Sequence, residues 1–193
     1  MIKRILLIFL ILSGFSLAHA QWEIIFIPGL AVFGDAVGYD IEIGMMVNGA
    51  SLFKAKSAFG KNFCVGITCF VAGASSANVR VASQGLAARI GFQISPFKKS
   101  ELRFIPQIIF AGEHMQLLLY GNSFFDSWGF LLSPGIIIDA PLRFEDIPPK
   151  SQKILNRFRI GLEFNYNMYF HERQLNSIKF GLLLSYGFGD KQQ

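Results

Sequence analysis

The sequence predicts an all-β chain: an antiparallel up-and-down transmembrane barrel of eight strands. Three observations carry that expectation. Large apolar residues alternate with small or polar ones in run after run, which is the period of a strand with two unlike faces. The composition is 52% hydrophobic and only 16% charged, with 21 phenylalanines among 193 residues. A soluble domain carries roughly 25% charged residues. Beyond the N-terminal segment, no run reaches the ~18 uninterrupted apolar residues that a spanning helix needs.

The chain starts with an address. Lys3 and Arg4 precede the apolar run from Ile5 to Leu12, and Ala18-His19-Ala20 supplies a small-x-small cleavage pattern. Residues 1–20 therefore read as a secretory signal peptide cleaved after Ala20, leaving residues 21–193 as a single barrel domain. The alternative, an N-terminal anchor, would need a longer apolar core. The formal net charge of +5 falls further when Lys3 and Arg4 are removed, so no nucleic-acid partner is expected. Cys64 and Cys69 are five residues apart in a strand-like run, on opposite faces and beyond disulfide reach, and read as small packing residues. No zinc-ligand spacing and no phosphate loop appear, so no metal or cofactor is expected.

Each strand follows from its alternation. Residues 22–33 place Trp22, Ile24, Phe26, Leu30 and Val32 on one face, although the other face is also partly apolar. In 37–48, Val37, Tyr39, Ile41, Ile43, Met45 and Val47 oppose a face carrying Asp40 and Glu42. Residues 63–71 set Phe63, Val65, Ile67 and Val71 against Cys64, Gly66 and Thr68. In 86–95, Leu86, Ala88, Ile90, Phe92 and Ile94 oppose a face with Arg89. Residues 102–120 form one long strand or two short ones, because Pro106 lacks a ladder donor and Gly112-Glu113-His114 could mark a turn. Residues 128–138 carry Trp128, Phe130, Leu132, Ile136 and Ile138 on one side. In 157–170, seven apolar residues from Phe158 to Phe170 alternate with a face bearing Arg159 and Glu163. Finally, 178–188 places Ile178, Phe180, Leu182, Leu184, Tyr186 and Phe188 opposite Lys179. Ten strands is the alternative count.

Alternation alone also fits a soluble barrel or sandwich. Two features favour the inverted arrangement. The apolar faces are long and bulky, and the opposing faces mix glycine with Asp40, Glu42, Arg89, Arg159, Glu163 and Lys179, groups that can pair inside a narrow lumen. Aromatics fall at strand ends: Trp22, Tyr186 and Phe188 at one boundary, Tyr39, Trp128 and Phe170 at the other. Two such girdles mark barrels of the outer membrane.

With its signal segment, eight alternating strands and a last strand running from Lys179 to an aromatic Phe188, the chain resembles the outer-membrane protein A, X and W families of small barrels. The resemblance is architectural, with no motif match. It implies residence in the cell outer membrane, contact with its lipids, and assembly by the barrel-assembly machinery, which reads a C-terminal aromatic. Here Gly189 to Gln193 follow Phe188, a departure from that pattern. The connections depart as well: 48–61, with Lys54, Lys56 and Lys61, and 139–156 are long on the inner side, while 34–36 and 171–177 are short outer loops. Such barrels have the reverse.

Three functions compete. A narrow pore for small or apolar solutes would use the inward charges for selectivity. Alternatively those charges close a plugged interior, which side chains of an eight-stranded barrel can fill, and the protein is a surface adhesin or structural envelope protein. In that case loops 72–83 and 112–127, with Phe124 and Phe125, would meet a host or small-molecule ligand. A lipid-modifying enzyme would need a histidine with a carboxylate and a serine, for which Glu113-His114, His171-Glu172, Ser123, Ser127 and Ser177 are available. No enzyme is expected, because two histidines in loops are what chance provides.

Overall fold

The computed structural model describes residues 22–48, 62–96, 101–119, 123–143, 148–171 and 174–188. The expected signal segment 1–20, with its cleavage point, and Lys54, Lys56 and Lys61 lie outside the described residues. Eight strands follow in chain order: β1 Trp22–Phe33, β2 Ala36–Asn48, β3 Phe63–Ser75, β4 Val79–Phe92, β5 Arg103–Leu119, β6 Ser123–Pro141, β7 Phe158–Phe170 and β8 Gln174–Phe188, with a short helix α1, Pro149–Leu155, between β6 and β7. Every strand pairs antiparallel with the next, and β8 closes on β1. The fold is a closed, eight-stranded, up-and-down barrel.

Closure leaves no unpaired sheet edge, and proline tests it at two points. The β1–β8 register breaks at Ile27 and Pro28, and the β6–β7 register at Ser133 and Pro134. In each case the opposite neighbour keeps the pairing, Pro28 to Ile41 and Pro134 to Ile108. Of the expected 102–120, Arg103–Leu119 form the single strand β5, with Gly112-Glu113-His114 inside it rather than at a turn.

One end of the barrel holds the tight connections β1 to β2 and β3 to β4. Gly34, with φ 61°, supplies the left-handed residue that the two-residue turn between β1 and β2 requires. Between β3 and β4, the Ser76 hydroxyl accepts hydrogen bonds from the backbone N–H groups of Asn78 and Val79 at 3.2 and 3.1 Å. Most of 72–83 is therefore strand rather than the expected loop. Its small residues suit a crowded lumen, where Ala72, Ala74 and Ser83 are buried. The same holds for 112–127, which the ends of β5 and β6 largely occupy. The longer connections, β2 to β3, β4 to β5 and β6 to β7, share the opposite end with the barrel's own termini, Trp22 and Phe188.

The two faces are inverted relative to a soluble protein. Leu30, Ile43, Leu86, Phe180 and Leu162 point outward and are exposed, Leu162 at 65%. Arg89, Glu113, Glu163, Asn165 and Lys179 are buried inside. A continuous apolar exterior of this kind exceeds the few hundred Å² that monomers tolerate in water. Two apolar clusters also lie inside. One gathers Ile25, Ile27, Ile105, Ile137 and Leu183; the other surrounds Phe33, Phe70, Met115, Leu131 and Tyr169. The inner face of β1 supplies residues to both, which is why its alternation looked blurred in sequence.

Candidate functional site

Among the described residues, the lumen holds three polar groups built around carboxylates, besides the uncharged set Ser133, Asn167, Tyr169 and Ser177. The middle one draws on six strands. Asp40 and Glu42 come from β2, Thr68 from β3, Arg89 from β4, Gln107 from β5, Glu163 and Asn165 from β7, and Lys179 from β8. Arg89 is paired with Glu42 and reaches Glu163 at 2.5 Å. Its guanidinium also donates to Thr68 Oγ1 at 3.3 Å and to Gln107 Oε1 at 3.2 Å. Lys179 pairs with Glu42, with Asp40 at 2.9 Å and with Glu163 at 3.8 Å. Gln107 and Asn165 each donate a further hydrogen bond to Glu163, both at 2.7 Å. The side chains of Arg89 and Glu163 are 0% exposed and that of Lys179 1%. Charges buried this deeply persist only when paired and hydrogen-bonded; these three are both.

A second group sits near the end that carries the termini. Arg103 holds Glu23 through Nη1 at 2.6 Å and Asp139 through Nη2 at 2.7 Å. Arg159 donates to Asp139 at 2.7 Å and to the Glu101 carbonyl at 2.6 Å. Two carboxylates and two guanidiniums thus balance, with forked geometry that suits arginine.

The third group lies near the tight-turn end. Glu113 on β5 accepts a hydrogen bond from the Ser83 hydroxyl of β4 at 2.6 Å. Its other oxygen lies 2.8 Å from Nε2 of His171, which directly follows β7. The second nitrogen of that ring, Nδ1, lies 3.1 Å from Ser127 Oγ on β6. Phe125 packs edge-on against the imidazole, with centroids 5.7 Å apart. Gly129 lies against the ring, and a Cβ there would collide with it.

No family model and no curated protein sequence matches the chain. Solved structures do. A major outer membrane protein from Thermus thermophilus superposes with a TM-score of 0.53 at 10% identity, covering 88% of this chain and 99% of that one. The chain folds like a small outer-membrane barrel. The N-terminal β-barrel domain of Pseudomonas aeruginosa OprF is also similar, at 11% identity and TM-score 0.48 over 87% of this chain and 98% of that one. Neisserial surface protein A gives 9% identity and TM-score 0.46 over 88% and 97%.

For this barrel, the structure brings five of the six expected interior charges into one cluster and leaves Arg159 in the group near the termini. Trp22 pairs with Phe188 across the β1–β8 seam, and the Tyr186 ring packs tilted against Phe158 with centroids 4.7 Å apart, all at the end with the termini. Trp128, 72% exposed, and Phe170 lie toward the tight turns, as does Tyr39 near the start of β2. Sequence reasoning missed Glu23, Arg103 and Asp139. Each is in phase with an inward residue, Ile25, Ile105 and Ile137, so extending the alternation to the strand ends would have found them. Of the candidate enzyme residues, Glu113, His171 and Ser127 converge. His114 instead faces outward and pairs with Asp126 at 2.6 Å, while Ser177 bonds Tyr169 and Asn167. Glu172 lies outside the described residues.

Proposed function

We propose that this chain is an integral outer-membrane protein whose barrel is closed by its own side chains, with a surface or envelope-stabilising role rather than that of a solute conduit. The observation that carries this reading is the complete burial of Arg89, Glu163 and Lys179 in one network tied to six strands. A pore needs groups that bind weakly and release; these bind one another. The membrane location is supported by the exposed apolar exterior and by the shared fold of the Thermus outer-membrane protein. Lipid tails are then the partners of the outer wall. An N-terminal signal peptide delivers the chain, the barrel-assembly machinery inserts it, and the start of β1 and the end of β8 face the periplasm.

The test is envelope fractionation combined with electrophoresis in detergent. The protein should partition with the outer membrane and migrate differently before and after boiling, as a closed barrel does. A chain that stays soluble and monomeric without detergent would overturn the reading.

A further inference from the structure

We propose that Ser127, His171 and Glu113 form a serine-nucleophile centre that cleaves carboxylic esters at the tight-turn end of the barrel. The chain of contacts is linear and directional: Ser127 Oγ to His171 Nδ1 at 3.1 Å, His171 Nε2 to Glu113 Oε1 at 2.8 Å, and Ser83 Oγ to Glu113 Oε2 at 2.6 Å. These are the nucleophile–base and base–orienter distances that such chemistry requires. An ionised carboxylate only accepts hydrogen bonds, so Glu113 draws the ring proton to Nε2 and leaves Nδ1 free to accept from Ser127. The two imidazole nitrogens exchange places relative to the chymotrypsin-type arrangement, in which Nε2 faces the serine. Either nitrogen can take the proton.

Burial grades along the chain in the direction that the chemistry needs. Glu113 and the His171 side chain are 0% exposed, whereas Ser127 is only half-buried. The ring cannot drift, being held by Phe125 on one side and by the space that Gly129 leaves on another. The register of β4 to β7 brings three elements far apart in sequence together here. A lumen plug needs no ordered hydroxyl–imidazole–carboxylate relay, and the middle network shows none.

In the reaction, Ser127 Oγ bonds to the acyl carbon while its proton passes to His171 Nδ1. The carbon–alkoxy oxygen bond then breaks, and the departing oxygen takes that proton and leaves as an alcohol. Water attacks the acyl-serine, again giving its proton to Nδ1. The carbon–Oγ bond breaks, Ser127 recovers the proton, and the acid departs. Glu113 is a positioning residue that stabilises the transient imidazolium. The ester could belong to a lipid headgroup region or to a small soluble molecule. Both sources share the ester chemistry, and Ser127 faces the lumen while its neighbour Trp128 faces outward; the two substrates below distinguish the sources.

The test uses the full chain folded in detergent, with folding checked by heat-dependent migration. A fluorophosphonate probe should add covalently at Ser127, located by peptide mass. Capture should vanish in Ser127→Ala, slow by about 100-fold in His171→Gln, slow with an altered pH dependence in Glu113→Gln, and persist in Ser177→Ala. Turnover above the Ser127→Ala background is then measured with a short-chain 4-nitrophenyl ester and with phospholipid in mixed micelles. Turnover of the phospholipid assigns a lipid ester, and turnover of the nitrophenyl ester alone assigns a soluble one. No adduct on folded wild-type protein, an adduct at another serine, capture indifferent to His171→Gln, or turnover of neither ester would each overturn the proposal.

Discussion

The middle of the lumen and its tight-turn end both bury a glutamate, to opposite effect. In the middle, Glu42 and Glu163 each share both Arg89 and Lys179, and Asp40 adds a further contact to Lys179, so that the charges are cross-linked over several strands. Such redundancy resists opening and has no direction. At the tight-turn end, Ser83, Glu113, His171 and Ser127 form a single file, ending at a half-exposed hydroxyl. The lesson is that burial and pairing alone do not separate a structural network from a reactive one. The shape of the hydrogen-bond graph does.

Breaking the middle network should have the largest effect. Arg89→Met leaves Glu42 and Glu163 without their guanidinium, and a buried charge stripped of its partner costs about 3–5 kcal/mol. Urea titration of the detergent-folded barrel should register that loss. The triple variant Arg89→Met, Glu42→Leu, Glu163→Leu should recover part of it, because no uncompensated carboxylate remains beside the guanidinium site. If the triple variant is weaker than the single one, the network is held by something other than charge pairing.

The outer wall sharpens the contrast between lumen and exterior. Leu162→Arg, at a strongly exposed position in the middle of β7, should lower stability in bilayers by about 2–4 kcal/mol. In water the same change on an exposed face would be nearly neutral. Refolding yields into phospholipid vesicles, compared across denaturant, measure the difference.

Gly129→Ala probes the tight-turn end. Its Cβ would meet the His171 ring, so a cost of about 1–3 kcal/mol is expected, smaller than that at Arg89. The smallest effect belongs to Arg143→Gln. Its partner Glu101 lies 2.5 Å away, but both side chains are well exposed, and such pairs contribute roughly 0–1 kcal/mol, screened by salt. A loss as large as that at Arg89 would mean that the connections at the end with the termini are part of the barrel's stability.

Most of this architecture was legible in the sequence because lipid-facing walls impose strict alternation. Phe158 to Phe170 and Ile178 to Phe188 could be read directly. Legibility failed where the lumen itself is apolar or small. Ala72, Ala74 and Ser83 read as a loop because a narrow interior selects residues that loops also favour, and Ile25 and Ile27 blurred β1 because they fill the space beneath the charged cluster. The helix α1 was not foreseen. The middle charges announced themselves by phase. The convergence of Glu113, Ser127 and His171 could not, since register and closure bring β5, β6 and the end of β7 together, and spacing in one chain carries no trace of that.

In the proposed reading, the side chains of the middle network seal the barrel. Electrical recording from the folded protein in planar bilayers tests it most directly. A sealed lumen predicts no discrete conductance steps in the wild-type protein at any applied voltage that the bilayer withstands. Reproducible steps whose ion selectivity changes in Glu163→Gln would contradict it, and would make the same charges the lining of a pore.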